Sequence, residues 1–128
     1  MIQLTAQTRI LLAVEPIDFR NGIDGLAGIC RRVLQGDPMS GAVFVFRNRA
    51  RTAVKLLFYD GQGFWLAQKR LSSGRWRWWP TEADAGPREL AVHELQLLLW
   101  NGSPTAGQAA PAYRRLAPGP LAAIARAA

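Results

Sequence analysis

The sequence is poor in the groups that most often do chemistry or hold a metal. It has one cysteine, Cys30, and one histidine, His93. A lone cysteine has no partner for a disulfide or a thiolate metal cluster, and it points to a reducing, cytoplasmic setting. Long apolar runs are missing as well: the stretch Ile10 to Val14 stops at Glu15 and Pro16. That is far short of the roughly 20 residues that span a bilayer, so no membrane is expected as a partner. Acids number nine against sixteen basic residues. Asp18, Asp24, Asp37, Asp60, Glu82, Asp84, Glu89 and Glu94 are scattered, without the spacing of a metal loop. His93 has no serine or cysteine near it in sequence, which leaves a nucleophile, base and acid triad little to draw on. No catalytic residue, no metal site and no cofactor is therefore expected.

Two smaller features also read as structural. Gly22, Gly25 and Gly28 repeat at three-residue spacing but lack the Lys-Ser or Lys-Thr that follows a phosphate loop. They are expected to let a helix start pack closely on a sheet. Cys30 falls on the apolar face of that helix, as a buried and unreactive thiol.

What is abundant is positive charge, mostly arginine. The formal net charge is +7, and its distribution is uneven. Between Arg47 and Arg77 stand Arg47, Arg49, Arg51, Lys55, Lys69, Arg70, Arg75 and Arg77 against the single acid Asp60. This segment carries the whole excess, a balance that suits a polyanionic partner.

The length and apolar content fit one domain over residues 1–102. Residues 103–128, rich in Ala, Pro and Gly, read as a flexible tail with a short helix near Leu121 to Ala127. Within the domain, Arg9 to Glu15 reads as a strand ended by Pro16. Ile23, Leu26, Ala27, Cys30, Val33 and Leu34 then recur at helical spacing, with Asn21 as cap and Gly36 as stop. Asp37-Pro38 and Ser40-Gly41 mark turns before a Val- and Phe-rich strand, Ala42 to Arg47. A basic loop, Asn48 to Arg51, leads to a strand from Ala53 to Tyr59, and Asp60-Gly61 signals a tight hairpin. Phe64 to Leu71 and Arg75 to Trp79 flank a turn at Ser72-Ser73-Gly74, giving a meander of about four strands. Thr81 to Pro87 reads as a loop, and Val92, Leu95, Leu98 and Leu99 define a last helix that closes at Asn101-Gly102.

If Arg75 to Trp79 is extended, alternation puts Arg75 and Arg77 on one face and Trp76 and Trp78 on the other. Arginine forks suit phosphate oxygens, and exposed aromatics stack on bases. Trp76 and Trp78 read first as core residues and second as additional nucleic-acid contacts, and Arg20 is a weaker candidate beside them. The same parity groups Arg47, Arg49 and Arg51.

Several ordered motifs point to a known family. They are Asp18-Phe19-Arg20 before Gly22-Ile23-Asp24-Gly25-Leu26, Asp37-Pro38 with Ser40-Gly41, Phe44 to Arg49, Lys55-Leu56-Leu57, Asp60-Gly61-x-Gly63-Phe64-Trp65-Leu66, Lys69-Arg70-Leu71 and the Glu94 to Leu99 pattern. Over residues 1–101 the chain resembles the TnpB accessory proteins, the second-open-reading-frame family of IS 66-type bacterial insertion sequences. These are unrelated to the RNA-guided nucleases that share the name. The resemblance implies a role in transposition, and hence in DNA recombination, beside a larger transposase that carries the acidic catalytic residues. It carries no catalytic residue across. The Arg75 to Pro80 segment is richer in Trp than the family pattern, and Trp100-Asn101-Gly102 replaces a Gly-Ile-Asp ending.

The expected fold is α+β: a mainly antiparallel sheet of about five strands, one helix after the first strand and one near the C-terminus. The leading functional expectation is a non-catalytic accessory protein whose cationic surface binds DNA, the transposase, or both. An adaptor for the transposase without meaningful DNA binding is the alternative. A small metal-dependent nuclease or strand-transfer enzyme using Asp18, Asp60 or Glu94 is the third. An exposed sheet edge leaves a homo-oligomer open.

Overall fold

A computed structural model of the chain describes residues 4–81 and 87–102. The tail and the interior of the expected Thr81 to Pro87 loop lie outside the described residues. The elements run β1 (Ile10–Leu12), α1 (Ile23–Arg32), β2 (Val43–Arg47), β3 (Ala53–Tyr59), β4 (Phe64–Arg70), β5 (Arg88–Leu90) and α2 (Val92–Leu99). The strands form one sheet in the order β4-β3-β2-β1-β5. All neighbours are antiparallel except β1 and β2, which pair parallel across the α1 crossover. The fold is the expected α+β arrangement.

Alternation along the central strands sorts the core into two clusters, one on each side of the sheet. Leu11, Phe44, Phe46 and Leu57 turn toward α1, where they meet Leu26, Ala27, Cys30 and Leu34. Ile10, Leu12, Val43, Val45, Val54 and Phe58 turn the other way, onto Leu95 and Leu98 of α2 and onto Trp76 and Trp79. A strand buried on both faces needs apolar residues at successive positions, which is why β2 reads Val-Phe-Val-Phe rather than alternating with polar residues.

Helix α1 starts at Gly22 with no side-chain cap. Asn21, expected in that role, sits one residue too early, and its amide donates to the Asp18 carbonyl at 2.9 Å. A missing cap costs about 1 kcal/mol, whereas burying one Leu side chain contributes about 1.5–3 kcal/mol, so packing holds the helix. The glycine triplet also departs from expectation. A Cβ at Gly25 would collide with the Asn21 side chain, Gly22 faces open space, and Gly28 faces Arg32, so none of the three serves close packing on the sheet. Gly36 is different: a Cβ there would lie 3.0 Å from the Phe44 ring. The left-handed residue that ends the helix is Gln35, at φ 53°.

The strand expected at Arg75 to Trp79 does not form. Residues 75–79 instead cross the end of the sheet without a ladder partner. The Trp76 N–H donates to the Arg51 carbonyl at 2.8 Å, and the Trp79 indole N–H to the Ala13 carbonyl at 3.0 Å. Trp76 and Trp79 both enter the core. A spacing of three residues between buried side chains is incompatible with the period of two that a strand requires. The meander thus has three strands, β2 to β4. The remaining sheet position goes to β5, whose three residues are too few to show a period. The first strand is shorter than expected, since its ladders with both β2 and β5 cover only residues 10–12, yet Ala13 and Ile17 still donate to the Val45 and Arg47 carbonyls of β2.

Asn101 ties the crossing segment to α2. It is buried and left-handed, at φ 56°. Its Oδ1 accepts from the Arg77 N–H at 2.7 Å, and its Nδ2 donates to the Arg75 carbonyl at 3.2 Å. Asn tolerates this backbone region better than other residues with a Cβ, and its amide matches both a donor and an acceptor of the crossing segment. Asn101→Ala is expected to lower unfolding stability by about 2–3 kcal/mol in a urea titration, since it orphans two backbone groups and strains the backbone. A loss under about 0.5 kcal/mol, the range of a neutral surface change, would contradict this role.

Candidate nucleic-acid interface

The end of the sheet where β2 leaves, β3 begins and β4 finishes gathers most of the basic residues. Arg47 closes β2, and Ala53 at the start of β3 is paired with Arg70 at the end of β4. Between them the Asn48 to Thr52 loop is organised by Asn48. Its Oδ1 accepts from the Thr52 and Ala53 N–H groups at 2.9 and 3.1 Å, and its Nδ2 donates to Thr52 Oγ1 at 2.8 Å. Such an Asn-centred turn lets Arg51 take a left-handed backbone, at φ 60°. The Trp76 to Arg51 backbone bond then brings Arg75 and Arg77 to the same end. Six of the eight expected cations, Arg47, Arg49, Arg51, Arg70, Arg75 and Arg77, are thereby placed together.

Arg49, Arg70, Arg75 and Arg77 are exposed, and Arg47 and Arg51 are half-buried. Burial first, and then the like charge of Arg51, disfavours the charged form of Arg47; Glu15 opposes this and Arg49 adds to it. The Arg47 guanidinium lies 5.9 Å from the Trp79 ring centroid, and its Nη1 donates to the Asn48 carbonyl. The Nε groups of Arg47 and Arg51 are buried without an acceptor. Among the described residues none of the six forms an ion pair; the two salt bridges are Arg9 with Glu89 and Arg20 with Asp18.

The other two expected cations turn inward. Lys55 is buried, and its Nζ donates to the Phe19 and Asn21 carbonyls at 2.9 Å each while lying 4.8 Å from the Phe19 ring centroid. It sits on the α1 side of β3, between Val54 and Leu56 on the opposite side, so it fastens the loop that leads into α1. Lys69 donates to the Leu99 carbonyl at 2.6 Å and lies over Trp76 and Trp100, and burial lowers its pKa. Arg20 is exposed but engaged with Asp18 through Nε and Nη2. Trp76 is buried and Trp78 half-buried beside Arg88, 5.6 Å from its ring centroid, so neither offers a free stacking face.

The three carboxylates that a nuclease would need have separate local tasks. Asp18 receives Arg20. Asp60 accepts from the Gln62 and Gly63 N–H groups and from the Trp65 indole at 2.7 Å, which shapes the β3–β4 hairpin. Glu94 accepts from the Ala91 N–H at the start of α2. Among the described residues no three His, Cys, Asp or Glu side chains come together as metal ligands. Cys30 is fully buried and desolvation pushes its thiol up to about 12, as its place on the apolar helix face implied. No described helix is long and apolar enough to cross a membrane. Sequence reasoning placed Asn48 at the start of the basic loop and Asn101 at the helix stop but missed that their side chains organise the loop and the crossing segment.

Residues 8–107 match the family model described as IS66 Orf2 like protein. The chain belongs to the IS66 Orf2-like family. Two curated relatives come from Sinorhizobium fredii (strain NBRC 101917 / NGR234). The uncharacterized protein y4jC is 33% identical over 99 residues, covering 77% of this chain and 83% of the relative. The uncharacterized protein y4hO is 34% identical over 99 residues, covering 77% and 84%. No solved structure matches. Membership of the IS66 Orf2-like family makes the chain an accessory protein of an insertion sequence, and the matched span contains every element described above.

The hydrogen bonds to Asp18 and Asp60 hold both carboxyls at about 2, below the ordinary 3.8: the Arg20 side chain is the largest cause for Asp18 and the Trp65 indole for Asp60. A depressed folded pKa contributes stability that is full above the unfolded value and lost as pH falls through the folded one. Carboxyl titration by NMR is expected to give midpoints near 2 for both, with the Trp65 indole proton shifting along the Asp60 curve. A Trp65 signal that moves with a midpoint near the ordinary 3.8 would remove the indole bond from the account.

Proposed function

We infer that this insertion-sequence accessory protein binds DNA through the arginine end of its sheet and takes no part in bond breaking itself. The gathering of Arg47, Arg49, Arg51, Arg70, Arg75 and Arg77 without an ion-paired acid among the described residues carries the reading. Like charges held together repel one another, and a polyanion relieves that repulsion while releasing its own counterions. Guanidinium forks on a strand end, a loop and a crossing segment can reach several phosphates at once, which positions a protein on a duplex without reading its bases. The Nε–H groups of Arg47 and Arg51 have no acceptor among the described residues, and each could donate to a phosphate oxygen that draws its guanidinium outward.

Lys55 and Lys69 are left out of this surface, because their ammonium groups are already engaged by backbone carbonyls. Arg20, Trp76 and Trp78 are left out for the reasons of pairing and burial given above. The transposase of the same element is the second partner this surface would serve, and it becomes the first if DNA does not bind.

Fluorescence anisotropy with labelled duplex DNA across a salt titration tests the proposal. Four to six phosphates engaged predict a log-log slope of roughly −4 to −5, and the Arg75→Ala, Arg77→Ala double variant should flatten it by about 2. Lys55→Ala should weaken folding without changing the slope. Absence of binding at moderate salt, or a slope that the double variant leaves unchanged, would overturn DNA recognition by this surface.

A further inference from the structure

The two edges of the sheet are unequal. At one edge β5 has three residues and follows Pro87 directly, a short edge of the kind that discourages further pairing. At the other edge β4 has seven residues, Phe64–Arg70, with no proline or glycine, and among the described residues nothing pairs with its outer side. A long, regular edge presents a row of unused N–H and C=O groups to any strand that can align with it.

Its side chains say which strand fits. The hairpin end of β4 is aromatic and acidic: Phe64 packs edge-on against Tyr59, Trp65 stacks on Phe58, and Asp60 lies at the turn. The far end carries Lys69 and Arg70. A parallel copy would set cation against cation. An antiparallel copy centred on Ala67 sets each cationic end against the aromatic and acidic end of its mate. Directly opposite residues share a face, so this register places Trp65 against Lys69 of the second copy and Phe64 against its Arg70, with Ala67 facing Ala67 at the axis. Lys69 already lies over Trp76 and Trp100 in its own chain, which marks it as a cation that sits on indole rings.

The face beside Ala67 is also unfilled. An open cleft of about 360 Å³ is lined by Leu56, Ala67, Lys69, Gln96, Leu99 and Trp100, with Trp100 half exposed at its rim and Trp65 exposed further along the strand. In the antiparallel register the second copy's Trp65 stands opposite Lys69, at the edge of this cleft. We propose that β4 is a self-pairing edge, and that a second copy of the chain joins it antiparallel about Ala67 to make a ten-stranded sheet. The pairing does not depend on DNA binding, since it rests on the free edge of β4; Arg70, the last residue of that strand, is the one side chain that belongs to both surfaces.

Ala67 is exposed, so charge placed there should leave the fold intact, which circular dichroism checks. Sedimentation equilibrium of the full chain should show a dimer. Ala67→Glu and Ala67→Lys should each weaken it about tenfold or more, because like charges then face each other across the axis. Mixing the two variants in equal amounts should restore the dimer, which no general destabilisation of the fold would do. A wild-type chain that stays monomeric up to about 100 μM overturns the proposal. So does a dimer indifferent to both variants, or a pair of monomeric variants whose mixture fails to associate.

Discussion

The three strands at the centre of the sheet are covered on both sides, by α1 on one and by α2 with the Trp76 to Trp79 segment on the other. That double burial governs where charge can go. A cation within β1, β2 or β3 must be satisfied inside the protein, as Lys55 is by two carbonyls, or it must stand at a strand end. Desolvating an unpaired ammonium would otherwise outweigh what its stem gains by packing. The arginine cluster is the outcome of this constraint: Arg47 and Arg70 are the last residues of their strands, and Arg49 and Arg51 belong to the loop that joins two of them.

The same constraint explains the crossing segment. Residues 75–79 bury Trp76 and Trp79 on the α2 side while Arg75 and Arg77 stay in solvent. A regular strand could not bury two side chains three positions apart, so the backbone leaves the ladder and depends on Arg51 and Asn101 for its hydrogen bonds. Asn101 thus connects helix, aromatic core and cationic surface, although it carries no charge.

Where local chemistry dominates, the structure was legible in the sequence. The β3–β4 hairpin follows from Asp60-Gly61 between two Val-, Leu- and aromatic-rich runs, with Gly61 at φ 98°. Helix α1 follows from the spacing of Leu26, Ala27 and Cys30. The parallel pairing of β1 with β2, the three-residue β5 and the irregular path at Arg75 were not legible, because each is decided by a partner distant in sequence. For the candidate site, charge density alone picked out the segment that supplies the clustered arginines. It could not distinguish Arg49, which projects from a loop, from Lys55, whose position on the α1 side of a doubly covered strand sends it inward. Strand parity separated Arg75 and Arg77 from Trp76, and the structure leaves both arginines exposed and Trp76 buried even though no strand forms.

In the proposed DNA interface six guanidinium groups at one end of the sheet act together, while the two lysines serve the fold. NMR observation of the side-chain Nε–Hε signals during a duplex DNA titration addresses it directly. The signals of Arg47, Arg49, Arg51, Arg70, Arg75 and Arg77 are expected to move together on one saturating curve, while Arg9 and Arg20 on their salt bridges, and the backbone amides flanking Lys55, stay in place. Shifts spread evenly over all arginines, or confined to residues outside that end of the sheet, would contradict it.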